Sequence, residues 1–435
     1  MKVQIENTSS FEKKIFFEIP REVVSQEVES TYRALNRNVK VKGFRPGKVP
    51  RSILERYYKA QVEGEVITKL IEDSYGKAVE EHHLTPVAAP NVVDRAFEPG
   101  KDFTYAVTVE VKPQVSVEGY RGLEVEKPAV LVKEEEVEAR LKGLQEAHAQ
   151  LKPVEADRPV QEKDLAVVDF EGSLGGKPLE GWKVKDHLVE VGSRSLVGGL
   201  DQQLIGLPLR QERDLVVTLP EDYPRKEWAG KEINVRVQVK EIKEKILPAL
   251  DDELAKEAGD FQNFQELKDR LRKNLEEQKQ AEATQAAKEK LLDLLREKHP
   301  FAIPQSMIDR QVENIMARTE LQLARQGVKL DSANLDSQKL RESLRPSAEK
   351  EVQGSLILEK VAESEKIVVS DAELEQKLEQ LAAQLKQRVE AVKSFYQKKD
   401  RLEDLRMVML EEKTLDFLLG QANVKEGAAS PEETK

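Results

Sequence analysis

"KGFRPGKVPR", residues 42–51, is the stretch on which the fold is read. It combines two glycines, two prolines, one phenylalanine and four cations. Gly43, Pro46, Gly47 and Pro50 stop any helix from running through it. Yet helical patterns lie on both sides. Before it, "REVVSQEVESTYRALNRNV" places Val24, Val28, Tyr32 and Leu35 on one face, and Pro20 suits a first turn. After it, "RSILERYYKAQVEGEVITKLIEDSYGKAVEEHHL" repeats apolar side chains at Ile53, Tyr57, Ile67, Leu70, Ile71 and Tyr75. The stretch is therefore a loop joining two helices. From Arg33 to Lys59 there are nine Lys or Arg and a single acid, Glu55, inside a chain of net charge −11. A local reversal of sign marks a contact surface better than the total charge does. Solvated cations would be the plain reading of the charge alone. Phe44 argues against it, because an exposed ring between glycines gains nothing unless a partner buries it. Arg45 and Lys48 beside it suit phosphates or carboxylates. The loop reads as a docking tip.

Further out, Val3 and Ile5, then Ile15, Phe17 and Ile19, alternate as strands do, and so does "FTYAVTVEV", residues 103–111. Residues 1–112 thus form an α/β unit. Residues 113–150 read as an extended linker and a charged helix, "KEEEVEARLKGLQEAHAQL". Residues 151–245 turn β-rich, with short strands between Gly and Pro turns and an alternating "EINVRVQVKEIK". From 246 to 425 only helical patterns are expected. "FQELKDRLRKNLEEQKQAEATQAAKEKLLDLLREKHPF" reads as one long helix stopped before Pro300. "DAELEQKLEQLAAQLKQRVEAV" spaces Leu374, Leu378, Leu381, Leu385, Val389 and Val392 in steps of three and four. Residues 426–435 are polar and expected to be a disordered tail. The class is multidomain α+β.

Composition excludes several chemistries. Cysteine is absent, so disulfides, thiol catalysis and thiolate metal sites are excluded together. No apolar run reaches the ~18 residues of a membrane span, and the N-terminus lacks a signal pattern, so a cytoplasmic chain with no membrane partner is expected. His82 and His83 are helix neighbours and point apart, so no metal site is expected. "GSLGGKP" has one residue too few for a phosphate loop, and a hairpin turn is expected there.

The eight residues Gly43-Phe44-Arg45-Pro46-Gly47-Lys48-Val49-Pro50 resemble the GFRxGKxP signature of the trigger factor family, bacterial ribosome-associated chaperones. "LPALDDELAKEAG", "AIPQSMIDRQVENI" and "LRMVMLEEKTLDFLL" resemble other family segments, and the domain order is similar. The resemblance implies an N-terminal ribosome-binding domain, an FKBP-like prolyl-isomerase domain and a helical C-terminal domain with arm-like projections. The implied partners are the large ribosomal subunit near the polypeptide exit, through its RNA and a ribosomal protein, and unfolded nascent chains. Gly43, Phe44, Arg45, Pro46, Gly47, Lys48 and Pro50 would form the ribosome-binding tip. No ATP or other cofactor is implied, and a weak homodimer off the ribosome is. The isomerase pocket would be lined by Phe170 and Tyr223, with Val197, Leu200 and Val235 at positions matched to the family. Here the sequence departs from the pattern. Leu200 and Val235, with Leu179 and His187, stand where Phe is common, and Gly198 replaces Pro. Fewer rings predict a slow isomerase.

Three readings stay open on sequence: a ribosome-docked holding chaperone; a prolyl isomerase whose helical arms deliver substrate; and a helical scaffold with a nucleic-acid-binding tip.

Overall fold

A computed structural model of the chain describes every residue except Pro46, Pro99, 155–157, Asp222, Pro224, 326–336, 398–400 and 428–435. Most of the expected tail thus lies outside the described residues. In chain order, β1 (Lys2–Asn7) and β2 (Glu12–Ile19) precede α1 (Arg21–Asn38), α2 (Arg51–Glu81), β3 (Asn91–Ala96) and β4 (Phe103–Glu110). Next come β5 (Glu124–Pro128), α3 (Glu134–Ala147), β6 (Gln150–Pro153), β7 (Leu165–Leu174), β8 (Lys177–Glu190), α4 (Leu200–Gln203), β9 (Glu212–Thr218) and β10 (Glu232–Ile246). Then follow α5 (Asp252–Ala258), α6 (Phe264–Lys298), α7 (Gln305–Arg325), α8 (Ser337–Glu365), α9 (Asp371–Leu385), α10 (Val389–Tyr396), α11 (Arg401–Gln421) and β11 (Asn423–Gly427). The chain is multidomain α+β, with an N-terminal α/β region, a β-rich module and a helical C-terminal region. Two compact units divide it. One holds residues 1–125 with the described residues of 288–425, and the other holds 126–287.

In the first unit an antiparallel sheet runs β1-β2-β4-β3. Alternation buries Ile15, Phe17 and Ile19 on β2 and Phe103, Tyr105, Val107 and Val109 on β4. Helices α1 and α2 cover that face. The seam of α2 is every fourth residue: Leu54, Tyr58, Val62, Val66, Leu70, Ser74 and Ala78. Tyr57, expected on the apolar face, is 66% exposed and Tyr58 packs instead. Each large apolar side chain buried this way contributes about 1.5–3 kcal/mol. Phe17 stacks on Tyr105 with centroids 4.5 Å apart, and the Tyr105 and Ser74 hydroxyls meet at 2.5 Å. Burial, partly offset by that hydrogen bond, pushes the Tyr105 phenol up to about 12.

In the same unit, Ile308, Val312 and Met316 of α7 pack with Ala348 of α8. Helix α9 is capped at its start by Ser370 and Glu373, which bond each other's backbone N–H. Lys413, with those Ser370 bonds, holds the Glu373 carboxyl down to about 2. The leucine repeat from 374 to 392 is not one helix. Lys386 adopts φ 52°, and the amides of Lys386 and Gln387 turn back to Ala383 and Ala382. This left-handed stop uses lysine where glycine is usual, so periodicity gave no sign of it. Strand β11 also departs from the all-helical expectation after 245. It pairs with β5, where Asn423 N donates to Leu123 O at 2.8 Å.

The second unit carries an antiparallel sheet in the order β6-β10-β7-β8, with β9 also on β10. Gly175 and Gly176, both at positive φ, close the β7–β8 hairpin as the glycine pair predicts. Val168, Val189, Leu204, Val237 and Val239 form one core of this module. Helix α3 packs Val137 and Leu141 against Ala255, Leu267 and Leu275 of α5 and α6.

Candidate functional site

Two sites emerge. The first is the loop between α1 and α2. Val39, Val41 and Val49 turn into the core of the sheet and helices, which pins the loop at both ends. Asn36, in the last turn of α1, clamps it. Its side-chain amide donates to Val49 O and its side-chain oxygen accepts from Val49 N, both at 3.2 Å. Its backbone oxygen accepts from Gly47 N at 2.8 Å. The Phe44 amide donates to Val41 O and the Lys48 amide to Arg45 O, each at 3.0 Å. Gly43 at φ 92° and Gly47 at φ 81° allow these reversals, which side chains would strain. Below, the Arg51 guanidinium lies 3.2 Å from the centroid of the Tyr32 ring and pairs with Glu55 at 2.8 Å. Pro50 leads into α2 in extended backbone.

What the clamp presents is Phe44, 40% exposed, with Arg45 and Lys48 exposed beside it. Arg33, Arg51 and Lys59 have ion-pair partners. Arg37, Lys40, Lys42, Arg45, Lys48 and Arg56 have none among the described residues. An apolar ring within a field of unneutralised cations suits a surface that is both anionic and partly apolar. Pro46, the remaining residue of the expected tip, lies outside the described residues. Asn36 was missed because nothing distinguishes an asparagine in a last helical turn until the loop folds back on it.

The second site lies in the β-rich module. Leu179, Trp182, Leu200, Val217, Leu219, Ile233 and Val235 form a buried cluster, and Phe170, Tyr223 and Trp228 pack on its edge. Of the five expected pocket residues, Leu200 and Val235 are fully buried, Phe170 and Tyr223 are half-buried, and Val197 is exposed. Tyr223 and Trp228 stack at 6.2 Å, and the Phe170 ring meets His187 edge-on at 5.9 Å. Gly198 turns at φ 67°, where a Cβ would stand 2.3 Å from Val217 Cγ1 and 2.7 Å from Thr218 O. No proline could take that φ. The departure at Gly198 is thus a different backbone turn into α4. Fully buried Asp201 holds the turn by accepting from Arg194 N at 2.5 Å.

Family models match the stretches of chain that hold both candidate sites. Family models described as bacterial trigger factor protein and its C-terminus match residues 1–144 and 263–420, and an FKBP-type peptidyl-prolyl cis-trans isomerase model matches 156–240. The chain is 37% identical to the trigger factor of Syntrophotalea carbinolica, over 98% of this chain and 97% of that one. It is 35% identical to the trigger factor of Geotalea uraniireducens, over 98% and 99%. The chain belongs to the trigger factor family. A solved structure described under "Promiscuous Substrate Recognition in Folding and Assembly Activities of the Trigger Factor Chaperone" is similar over 97% of this chain and 99% of that one, at 25% identity and a TM-score of 0.54. In trigger factor terms the β-rich module is the FKBP-type domain.

The helices of this trigger factor chain, and the connection between α8 and α9, carry scattered apolar side chains in water. Leu321, Val368, Leu385, Phe395 and Val408 are each more than half exposed. Charged residues surround them, and Arg401 lies 4.1 Å from the Phe395 centroid. Among the described residues no three His, Asp or Glu gather as a metal site, and no helix is long and apolar enough to cross a membrane. His82 and His83 are exposed at the end of α2.

Proposed function

We propose that the chain is an ATP-independent chaperone that docks on the large ribosomal subunit near the polypeptide exit and shields nascent chains. The clamped presentation of Phe44 between unpaired cations supports this reading most. Residues 1–112 would carry the docking tip, with Gly43, Phe44, Arg45, Pro46, Gly47, Lys48 and Pro50 as its contacts. Arg45 and Lys48 would meet ribosomal RNA phosphates and acidic side chains. Residues 113–150 and 246–425 would hold unfolded segments on dispersed apolar spots. Each spot is weak, and several together gain affinity by multivalency. Residues 151–245 would isomerise X–Pro bonds in those segments by favouring the twisted amide in an apolar site. The alternative, an isomerase that merely uses helical arms, leaves the exposed ring of Phe44 without a role.

Co-sedimentation with ribosomes tests the proposal. The full chain should pellet with them, weakening steeply with salt because phosphate contacts release counterions. Phe44→Ala combined with Arg45→Ala should remain in the supernatant, yet still suppress aggregation of an unfolded client without ATP. Undiminished pelleting of that variant would overturn the docking assignment.

A further inference from the structure

The positions matched to the family leave the isomerase site short of rings, and β8 supplies one from elsewhere. Glu171 pairs with Lys183 and Ser173 with Pro178, so β8 takes five residue steps where β7 takes two. The four residues Leu179 to Trp182 thus face Gly172 alone and bulge from the ladder, with Gly181 turning at φ 86°. A bulge re-aims side chains, and bulges gather next to active sites. This one sends Leu179 and Trp182 inward, 9% and 8% exposed. The indole crosses Gly172 so closely that a Cβ there would lie 2.9 Å from Trp182 Cβ and 3.0 Å from Cε3. Gly172 is paired across β10 with Val235, and the Trp182 ring meets Phe170 edge-on at 6.3 Å. The indole therefore lies on the sheet face between two expected pocket residues. It belongs to the same cluster as Leu200, Tyr223 and Trp228. A bulge, a left-handed glycine and a bare glycine together seat this one ring.

We propose that Trp182 is a substrate-contacting residue of the prolyl-isomerase pocket, supplying the wall that Leu200 and Val235 do not. The inference rests on the isomerase reading of residues 151–245. An indole presents a broad apolar face to a proline ring, with dispersion and quadrupole terms that leucine lacks. Because the strands fix it in place, little side-chain freedom is lost on binding. The module then compensates for its missing rings, and its turnover exceeds what the matched positions alone predict.

The test uses the full chain and one X–Pro peptide. Trp182→Leu should lower kcat/KM by about tenfold, whereas Trp182→Phe, which keeps a ring, should lower it by about threefold or less. The chain has two tryptophans. Trp228→Phe leaves Trp182 as the sole emitter, and saturating peptide should shift or quench it. This arm decides if Trp182→Leu fails to fold. A kcat/KM that rises in Trp182→Leu would show that the ring blocks the pocket and overturn the proposal. Unchanged turnover in Trp182→Leu with unchanged Trp182 emission would also overturn it. Emission that shifts while the wild-type chain shows no turnover would sink the isomerase reading and sustain the ring assignment.

Discussion

The loop proposed to dock and the proposed isomerase pocket are built in opposite ways. The loop is one contiguous piece, clamped by Asn36 on the helix that leads into it. Its ring points outward and its cations stay unneutralised. The pocket is assembled from β7, β8, α4, β9 and β10 with Tyr223 and Trp228, and its rings point inward. A site made from neighbours in sequence keeps its chemistry in a readable order. A site made by strand pairing depends on register, and a single bulge adds a ring that no motif contains.

That contrast can be broken from either side. The largest effect is expected at Gly198. Gly198→Val adds left-handed strain of about 1–2 kcal/mol and an overpacking penalty of about 1–3 kcal/mol against Val217 and the Thr218 carbonyl. Isomerisation by the full chain should vanish and the module's melting transition should fall, while ribosome pelleting stays at the wild-type level. A variant with normal turnover would show that the turn into α4 does not shape the pocket.

A somewhat smaller effect is expected at Asn36. Asn36→Ala strips both Val49 backbone groups of their partner, at about 1–3 kcal/mol. Some of that loss falls on the ordering of the tip, so ribosome affinity should drop by about tenfold with kcat/KM on a proline peptide unchanged. Equal ribosome affinity would mean that the loop needs no clamp to dock.

The smallest effect concerns the scaffold under the loop. The Tyr105 phenol is raised from 10.0 to about 12, chiefly by burial. A raised folded value means that its stabilising contribution is complete below pH 10 and is lost as the pH rises through 12. Tyr105→Phe should cost about 1 kcal/mol at neutral pH through the lost Ser74 bond, and Ser74 still donates to Leu70 O. The variant should also flatten the decline in stability above pH 10. Thermal melts between pH 7 and 11 would show both, and an unchanged alkaline slope would discount the buried phenol.

How much was legible follows the same division. The two helices around the loop, the alternating strands and the hairpin at Gly175–Gly176 were readable because each is set by local periodicity or turn chemistry. The exposure of Phe44, Arg45 and Lys48 on one loop was readable because composition alone makes them anomalous. Tyr57 and Tyr58 were exchanged, since one residue of helical phase separates an exposed ring from a packed one. The break at Lys386 was hidden because a left-handed lysine looks like any other lysine. Trp182 was hidden more deeply. Its place depends on where β8 leaves register with β7, and only Gly172 and Gly181, read together, hint that something large must fit.

The measurement closest to the central claim is the ribosome affinity of three full-length forms: wild type, Phe44→Ala and Tyr223→Ala. Removing the exposed ring of a contact centre should weaken binding by at least about thirtyfold. Tyr223→Ala should bind as the wild type does, because its ring packs within the β-rich module. Wild-type affinity in Phe44→Ala would contradict the account.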